Sequence, residues 1–264
     1  MKPLSVGNVV SAGLRIYRDN FKKYFKLAFI GYLWVFVPVY GWAKYSAMMG
    51  LIARLAYGEV AEQPEAVKDA QRYVKPKMWD FLVTGIMVSL IIFGAIIPFS
   101  IVFGILGAVM GAVFGSEAGA IIGVLLGIAA LLIFIFGFIW LISRLFLVEL
   151  PLAIEENTTA TSTISRSWSL TKGSVGRIQL IVFIAFLISL PIILVTNIVS
   201  FIFQGIVAIG LENVPGLASI GFILSLVVAI ASGSFMIPFW QSIKSVIYHD
   251  LRVRREGIGL DLSK

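Results

Sequence analysis

Residues 81–107 read FLVTGIMVSLIIFGAIIPFSIVFGILG, a run of 27 residues without a charged side chain. A helix needs about 20 predominantly apolar residues to cross the hydrocarbon core of a bilayer. The run therefore predicts a transmembrane helix. Three more uncharged apolar runs, at 119–143, 178–207 and 217–243, predict three further transmembrane helices.

The composition of the whole chain agrees with this prediction. Of the 264 residues, 59% are hydrophobic and 13% are charged, whereas a soluble domain has about 45–50% apolar and about 25% charged residues. The chain has no cysteine and a single histidine, His249, which excludes disulfides, thiolate metal sites and histidine clusters. We expect an all-α polytopic membrane bundle, one integral domain over 1–264, without a cofactor.

The remaining segments are predicted from their apolar periodicity. Residues 4–25 form an amphipathic helix, which we expect in the membrane interface rather than packed on the protein's own surface. Residues 158–172 form a second interfacial helix with an N-cap at Thr158 or Thr159, and Trp168 at headgroup depth. Residues 27–57 form either a crossing hairpin or a re-entrant pair. The crossing hairpin is preferred, which gives six membrane helices, and 244–264 form a tail.

The Lys and Arg residues predict the orientation of these segments. The turns at 108–118 and 208–216 contain neither residue type, whereas the N-terminal segment, the loops 58–80 and 144–177 and the C-terminal segment are basic. By the positive-inside rule, both termini lie in the cytoplasm. The net charge of +7 then reflects topology and attraction to anionic lipids. Without an aromatic-basic motif, it does not indicate nucleic-acid binding.

Two sets of polar or small residues could act within the spans. Small residues at four-residue intervals allow close approach of helices, and they occur at Gly107, Gly111, Gly119, Gly123 and Gly127. We expect these glycines to serve ordinary packing rather than gating. Asn197 and Gln204 lie two helical turns apart and are candidates for a polar path, although hydrogen bonding between helices is the preferred interpretation.

Acidic residues gather beside one predicted membrane edge, at Glu149, Glu155 and Glu156. An acid pair could support acid–base catalysis, but no nucleophile motif or phosphate-binding loop accompanies it. We prefer ion pairing with nearby arginines, which would fasten the last helix to the 144–172 segment.

Two motifs carry a family resemblance. The segment 151–173 resembles a motif of the glycerophosphodiester phosphodiesterase membrane-domain family and related uncharacterised six-helix bacterial membrane proteins, through Pro151, Glu155, Arg166, Ser167, Trp168, Leu170 and Gly173. The C-terminal segment is similar to the ending of that family, through Tyr248, Asp250, Leu251, Arg252, Arg254, Glu256, Gly257, Asp261 and Leu262. Some members carry a fused catalytic barrel. This chain ends at Lys264 without one, so the resemblance implies no enzymatic activity here.

Three functional hypotheses follow. The first is a non-enzymatic accessory, scaffold or regulatory subunit of a bacterial cytoplasmic-type, or other internal prokaryotic, membrane. Its basic cytoplasmic face would bind membrane lipids, anionic ones included, or a membrane protein complex. The second is a passive transporter or lipid-handling protein. The third, which we favour least, is a membrane enzyme that acts on lipid headgroups.

Overall fold

The computed structural model describes residues 4–113, 117–213 and 215–257, with side chains except beside the two turns (110–113, 117–120, 122, 210–213, 215 and 217). Every described element is a helix. The α-helices are α1 (Val6–Asp19), α2 (Phe21–Trp34), α3 (Tyr40–Val60), α4 (Val67–Val74), α5 (Met78–Val113), α6 (Glu117–Leu145), α7 (Glu149–Ile154), α8 (Ala160–Thr171), α9 (Val175–Asn213) and α10 (Pro215–Glu256). One 3₁₀ turn, Lys75–Lys77, joins α4 to α5.

Four helices, α5, α6, α9 and α10, are long and apolar enough to cross a membrane. They form two antiparallel pairs. In the α5–α6 pair the rings of Phe99 and Phe134 stack with centroids 3.8 Å apart. In the α9–α10 pair Gly221 brings the backbones together, since a Cβ there would lie 3.0 Å from the amide nitrogen of Val207. Large apolar side chains cover the outside of both pairs, which marks the chain as a membrane protein.

The buried core lies at one end of these pairs. We call this end the basal layer: α1, α4, α7 and α8 with the adjoining ends of α3, α9 and α10. Its fully buried side chains include Ile52, Leu150, Leu170 and Ile247. The expected tail at 244–264 is therefore corrected, because residues 244–256 continue α10 as a helix that is packed inside this layer. Residues 258–264 lie outside the described residues.

The N-terminal segment is two helices rather than one, separated at Asn20. The side chain of Ser5 accepts a hydrogen bond from the backbone N–H of Asn8 and so caps α1. The apolar face of α1 packs against α10, and Val10 is buried there. The structure thus corrects the preference for a helix whose apolar face enters the membrane, because that face is already occupied by protein.

The α2–α3 hairpin reaches only part of the way along the long helices. Tyr32, one turn before the bend, contacts α10 at Gly233, where a Cβ would collide with the tyrosine ring. Gly233 lies 18 residues from the start of α10 at Pro215, or about 27 Å at 1.5 Å per residue. The bend itself exposes apolar side chains, among them Phe36 and Trp42.

Helix α8 begins and ends where its sequence predicts. Thr159 is the N-cap, with a capping box to Ser162, and Gly173 follows the helix with a φ of +75°. Its buried residues include Thr163, Ser167 and Leu170, which pack against protein rather than lipid. The expectation of a helix lying on the membrane is corrected for this face of α8.

Candidate functional site

Glu155, at the end of α7, holds the centre of a charged cluster in the basal layer. Its carboxylate accepts hydrogen bonds from Arg166 on α8, at 2.8 Å from Nη2 and 2.9 Å from Nε. The hydroxyl of Tyr248 on α10 donates to the same carboxylate at 2.5 Å. Burial and this hydrogen bond raise the pKa of Tyr248, so the tyrosine stays a neutral donor.

Glu256 extends the cluster to the end of α10. It pairs with Arg166 and, at 3.0 Å, with Nε of Arg252. Burial acts to raise the pKa of Glu256, but the hydrogen bonds from both arginines outweigh it, and the pKa lies below the ordinary value. Arg166 therefore joins the two segments that carry the family resemblance, and the contact fastens α8 to α10.

Asp250, six residues before Glu256 on α10, is the centre of a second charged cluster. Its side chain is 5% exposed and accepts hydrogen bonds from Arg177 at 2.5 Å and from the backbone N–H of Leu4 at 3.1 Å. Arg254 approaches the same carboxylate at 2.8 Å, and Arg177 also donates to the carbonyl of Leu4. The cluster ties the N-terminus and α9 to α10. Arg177 was not predicted, because its only signal in the sequence is a basic residue just before an apolar span.

The other motif residues shape the backbone around these clusters. The carbonyl of Pro151 accepts the N–H of Glu155 at 2.8 Å, which closes α7. The hydroxyl of Ser167 donates to the carbonyl of Arg144 at 2.8 Å. The ring of Trp168 lies edge-on to Trp140, with centroids 5.4 Å apart. All of these contacts are internal to the protein.

The three acidic residues of the 149–156 segment have separate surroundings. Glu149 pairs with Lys244 of α10 at 2.6 Å, Glu155 belongs to the cluster above, and Glu156 is exposed. His249 packs against the ring of Tyr57 with centroids 5.8 Å apart. The contacts of Glu149, Glu155 and His249 hold helices together, and the described geometry does not bring the four residues around one reacting atom.

A different set of basic residues faces outward. Arg15, Arg18, Lys22 and Lys26 are exposed along α1 and α2, and we call them the basic stripe. Among the residues that the structure describes, Arg18 has only its neighbour Asp19 as an ion partner, at 3.3 Å. Within the described part of the chain, the other three have no carboxylate within 4 Å. On α2 the same exposed face continues toward the bend as apolar side chains, Phe29 and then Leu33.

The structure describes the surroundings of only some of the residues that were predicted to act within the spans. A Cβ at Gly107 would meet no atom within 4 Å, and one at Gly127 would only touch the ring of Phe103 at 4.0 Å. The surroundings of Gly111, Gly119 and Gly123 lie outside the side-chain contacts that the structure describes. Asn197 and Gln204 are both exposed, and the Asn197 side chain donates to the carbonyl of Ile193 one turn earlier.

Comparison with known proteins adds nothing to this geometry: no family model, curated protein or solved structure matches the chain. The family resemblance of the 151–173 and C-terminal segments therefore stays a prediction.

Proposed function

We propose that the protein is a non-enzymatic accessory or scaffold subunit that binds anionic lipid headgroups through its basic stripe. The single observation behind this proposal is that the exposed face of α1 and α2 is basic as far as Lys26 and apolar from Phe29 onward. Lys22 and Lys26 are followed by Phe29 and Leu33, the order that a surface crossing from headgroups into hydrocarbon requires.

The point on α2 at which the exposed face changes from basic to apolar also supports a topology for the chain in the membrane. The basal layer lies in the cytoplasm by the positive-inside rule, with both termini on that side of a bacterial cytoplasmic-type or other internal prokaryotic membrane. Helices α5, α6, α9 and α10 cross the bilayer. The α2–α3 hairpin enters from the basal side and turns back within the near leaflet, because its contact with Gly233 lies about 27 Å short of the α9–α10 turn.

The non-enzymatic part of the proposal draws on the charged clusters. Glu149 and Glu155 are each bound by a basic side chain, as are Asp250 and Glu256. Removing one partner of such a pair leaves the other uncompensated. We therefore assign these residues to stability of the basal layer. The passive-path alternative loses its sequence argument, since Asn197 and Gln204 are exposed on α9.

The test compares two double variants that remove the same charge from different places. Lys22→Gln/Lys26→Gln alters the basic stripe, and Lys68→Gln/Arg72→Gln alters exposed lysine and arginine side chains of α4. Nanodiscs contain phosphatidylcholine with a minor share of phosphatidylglycerol, and the measurement is the enrichment of the anionic lipid around the protein.

We expect the stripe variant to lose several-fold of this enrichment, because each basic residue near an anionic surface contributes about 1 kcal/mol. The α4 variant is expected to retain it. Equal enrichment in both variants and the unmodified protein would reject the stripe as the lipid-binding surface. Increasing salt is expected to weaken the effect, since these charges are exposed.

A further inference from the structure

A cavity of about 440 Å³ lies where α3, α5, α7, α10 and the end of α6 meet. Its polar end holds the ion pair of Glu149 and Lys244, 2.6 Å apart. Its apolar end is formed by Val88 and Ile92 of α5 and Ile237 of α10. The volume falls in the range of about 300–1,000 Å³ that is usual for small-molecule sites. The cavity is thus amphipathic, with its two ends arranged along the long helices.

Two polar side chains lining this cavity each bury an oxygen atom that has no hydrogen-bond partner among the described residues. Gln241 is 5% exposed and Thr84 is 3% exposed. Neither the Oε1 atom of Gln241 nor the Oγ1 atom of Thr84 has a hydrogen-bond partner among the described residues. Leaving such a group unsatisfied destabilises a protein, and native proteins rarely tolerate it. The Oε1 atom of Gln241 can only accept a hydrogen bond, so its isolation indicates a missing donor, whereas the hydroxyl of Thr84 can donate as well as accept.

The cavity also communicates with the surface of the long helices. Gly85 and Ile142, which line it, are both exposed. This part of α5 and α6 belongs to helices apolar enough to cross a membrane. A ligand that enters here comes from the lipid phase, and a lipid supplies both an apolar chain and a polar headgroup.

We propose that this cavity binds one phospholipid whose headgroup carries an N–H or O–H donor. The headgroup donor satisfies the side-chain oxygen of Gln241, and the phosphate lies against the ammonium of Lys244. The acyl chains follow Val88 and Ile92 into the hydrocarbon. Because Lys244 already neutralises Glu149, the site suits a zwitterionic or singly charged headgroup better than a highly charged one.

The main test fills the cavity without removing a polar group. A Cβ at Gly85 or at Gly94, both on α5, would meet no atom within 4 Å, and only Gly85 lines the cavity. Gly85→Phe and Gly94→Phe therefore make a matched pair. Each protein is placed in nanodiscs of phosphatidylethanolamine, phosphatidylglycerol or phosphatidylcholine, released into mild detergent, and weighed by native mass spectrometry.

We expect the unmodified protein and Gly94→Phe to retain one phosphatidylethanolamine or one phosphatidylglycerol per chain, and Gly85→Phe to retain at least tenfold less. Retention of the ethanolamine lipid alone identifies an ammonium donor, and retention of the glycerol lipid alone identifies a hydroxyl; both support the site. Equal retention of phosphatidylcholine, which has no headgroup donor, would overturn the proposal, as would equal retention by the two phenylalanine variants.

A second pair tests the role of the amide itself. Gln241→Leu removes the unsatisfied oxygen, whereas Gln204→Leu makes the same change at an exposed position of α9. We expect only Gln241→Leu to lower lipid retention, by about tenfold, the loss that corresponds to about 1.4 kcal/mol. Retention unchanged in Gln241→Leu would contradict the proposal. The Lys22→Gln/Lys26→Gln variant should keep its one bound lipid, which separates this site from the basic stripe.

Discussion

A cysteine in place of Phe36, at the bend of the α2–α3 hairpin, measures how deeply this hairpin enters the membrane. Phe36 is 56% exposed, so a label there replaces no core contact. It lies ten residues beyond Lys26, the last residue of the basic stripe, which corresponds to about 15 Å if helical. We therefore expect the label near the middle of the hydrocarbon, whose full thickness is about 30 Å.

The energy of the exposed apolar side chains favours this depth over a full crossing. If the bend reached the far surface, the part of α10 beyond Gly233 would stand in water with Ile220, Phe222, Ile223 and Val227 more than half exposed. Complete burial of such a side chain stabilises by about 1.5–3 kcal/mol. In water these four partly exposed side chains would therefore lose roughly 4 kcal/mol of burial free energy, and the exposed side chains of α9 would add to that loss.

The shallow position has a free-energy cost of its own, because it places Lys44, one turn past the bend, in the hydrocarbon. A lysine at the centre of a membrane helix costs about 2.5–3.5 kcal/mol on insertion scales. Here its ammonium lies 3.5 Å from the centroid of the Trp34 ring, and such a contact returns about 0.5–2 kcal/mol. The balance therefore favours a hairpin that turns back within one leaflet.

The assay combines depth-dependent quenching of a fluorescent label with labelling by a membrane-impermeant reagent. The chain has no native cysteine, so single substitutions give an unambiguous signal. Gly216→Cys, at the α9–α10 turn, serves as the far-side control, and Lys68→Cys serves as the basal one. If an external reagent labelled Phe36→Cys as fast as Gly216→Cys, the re-entrant geometry would be refuted.

Two further predictions concern the basal layer. Gly13→Val should lower the unfolding temperature by several degrees, because its Cβ would lie 2.5 Å from Cδ1 and 3.1 Å from Cα of Ile243 and overpacking costs about 1–3 kcal/mol. The control Gly7→Val, whose Cβ would meet no atom within 4 Å, should leave the unfolding temperature unchanged. Equal shifts of the two variants in thermal unfolding in detergent would contradict the α1–α10 contact. The pKa of Glu256 lies below the ordinary carboxyl value in the folded protein, so its ionised carboxylate stabilises the folded state at every pH above that ordinary value. This stabilisation is lost as the pH falls through the lowered pKa. Thermal unfolding measured from pH 7 downward should therefore show a smaller acid-induced loss for Glu256→Gln than for the unmodified protein, and identical pH profiles would argue against the Arg166 and Arg252 contacts.

The four long helices were predictable because their signal is local. An uncharged run such as 81–107 is long enough to cross a bilayer whatever surrounds it. The depth of the 27–57 hairpin was not predictable in this way, since its short apolar run fits both a crossing and a re-entrant pair. The proposal of a re-entrant pair rests on the tertiary contact of Tyr32 with Gly233.

The candidate site was predictable in kind but not in pairing. The surplus of arginines beside Glu155 indicated ion pairs, and Arg166 indeed binds that carboxylate. Besides Arg254, four residues along the same helix, Asp250 binds Arg177, which is 73 residues away in sequence, and no periodic pattern connects these last two positions. The cavity was equally invisible, because Thr84 and Gln241 lie in helices whose sequences indicate only a span.

The net charge of +7 overstates the charge that this protein presents to lipid. Among the described residues, seven basic side chains lie within 4 Å of carboxylates in the basal layer or beside it: Lys23, Arg54, Arg166, Arg177, Lys244, Arg252 and Arg254. Their fields are largely cancelled at short range, and neutralising one of them exposes its partner instead of weakening a surface attraction. The basic stripe has no such compensation beyond Asp19, and exposed pairs of that kind contribute about 0–1 kcal/mol. Substitutions in the two groups should therefore separate cleanly: those in the clusters lower stability with little change in lipid enrichment, and those in the stripe lower lipid enrichment with little change in stability.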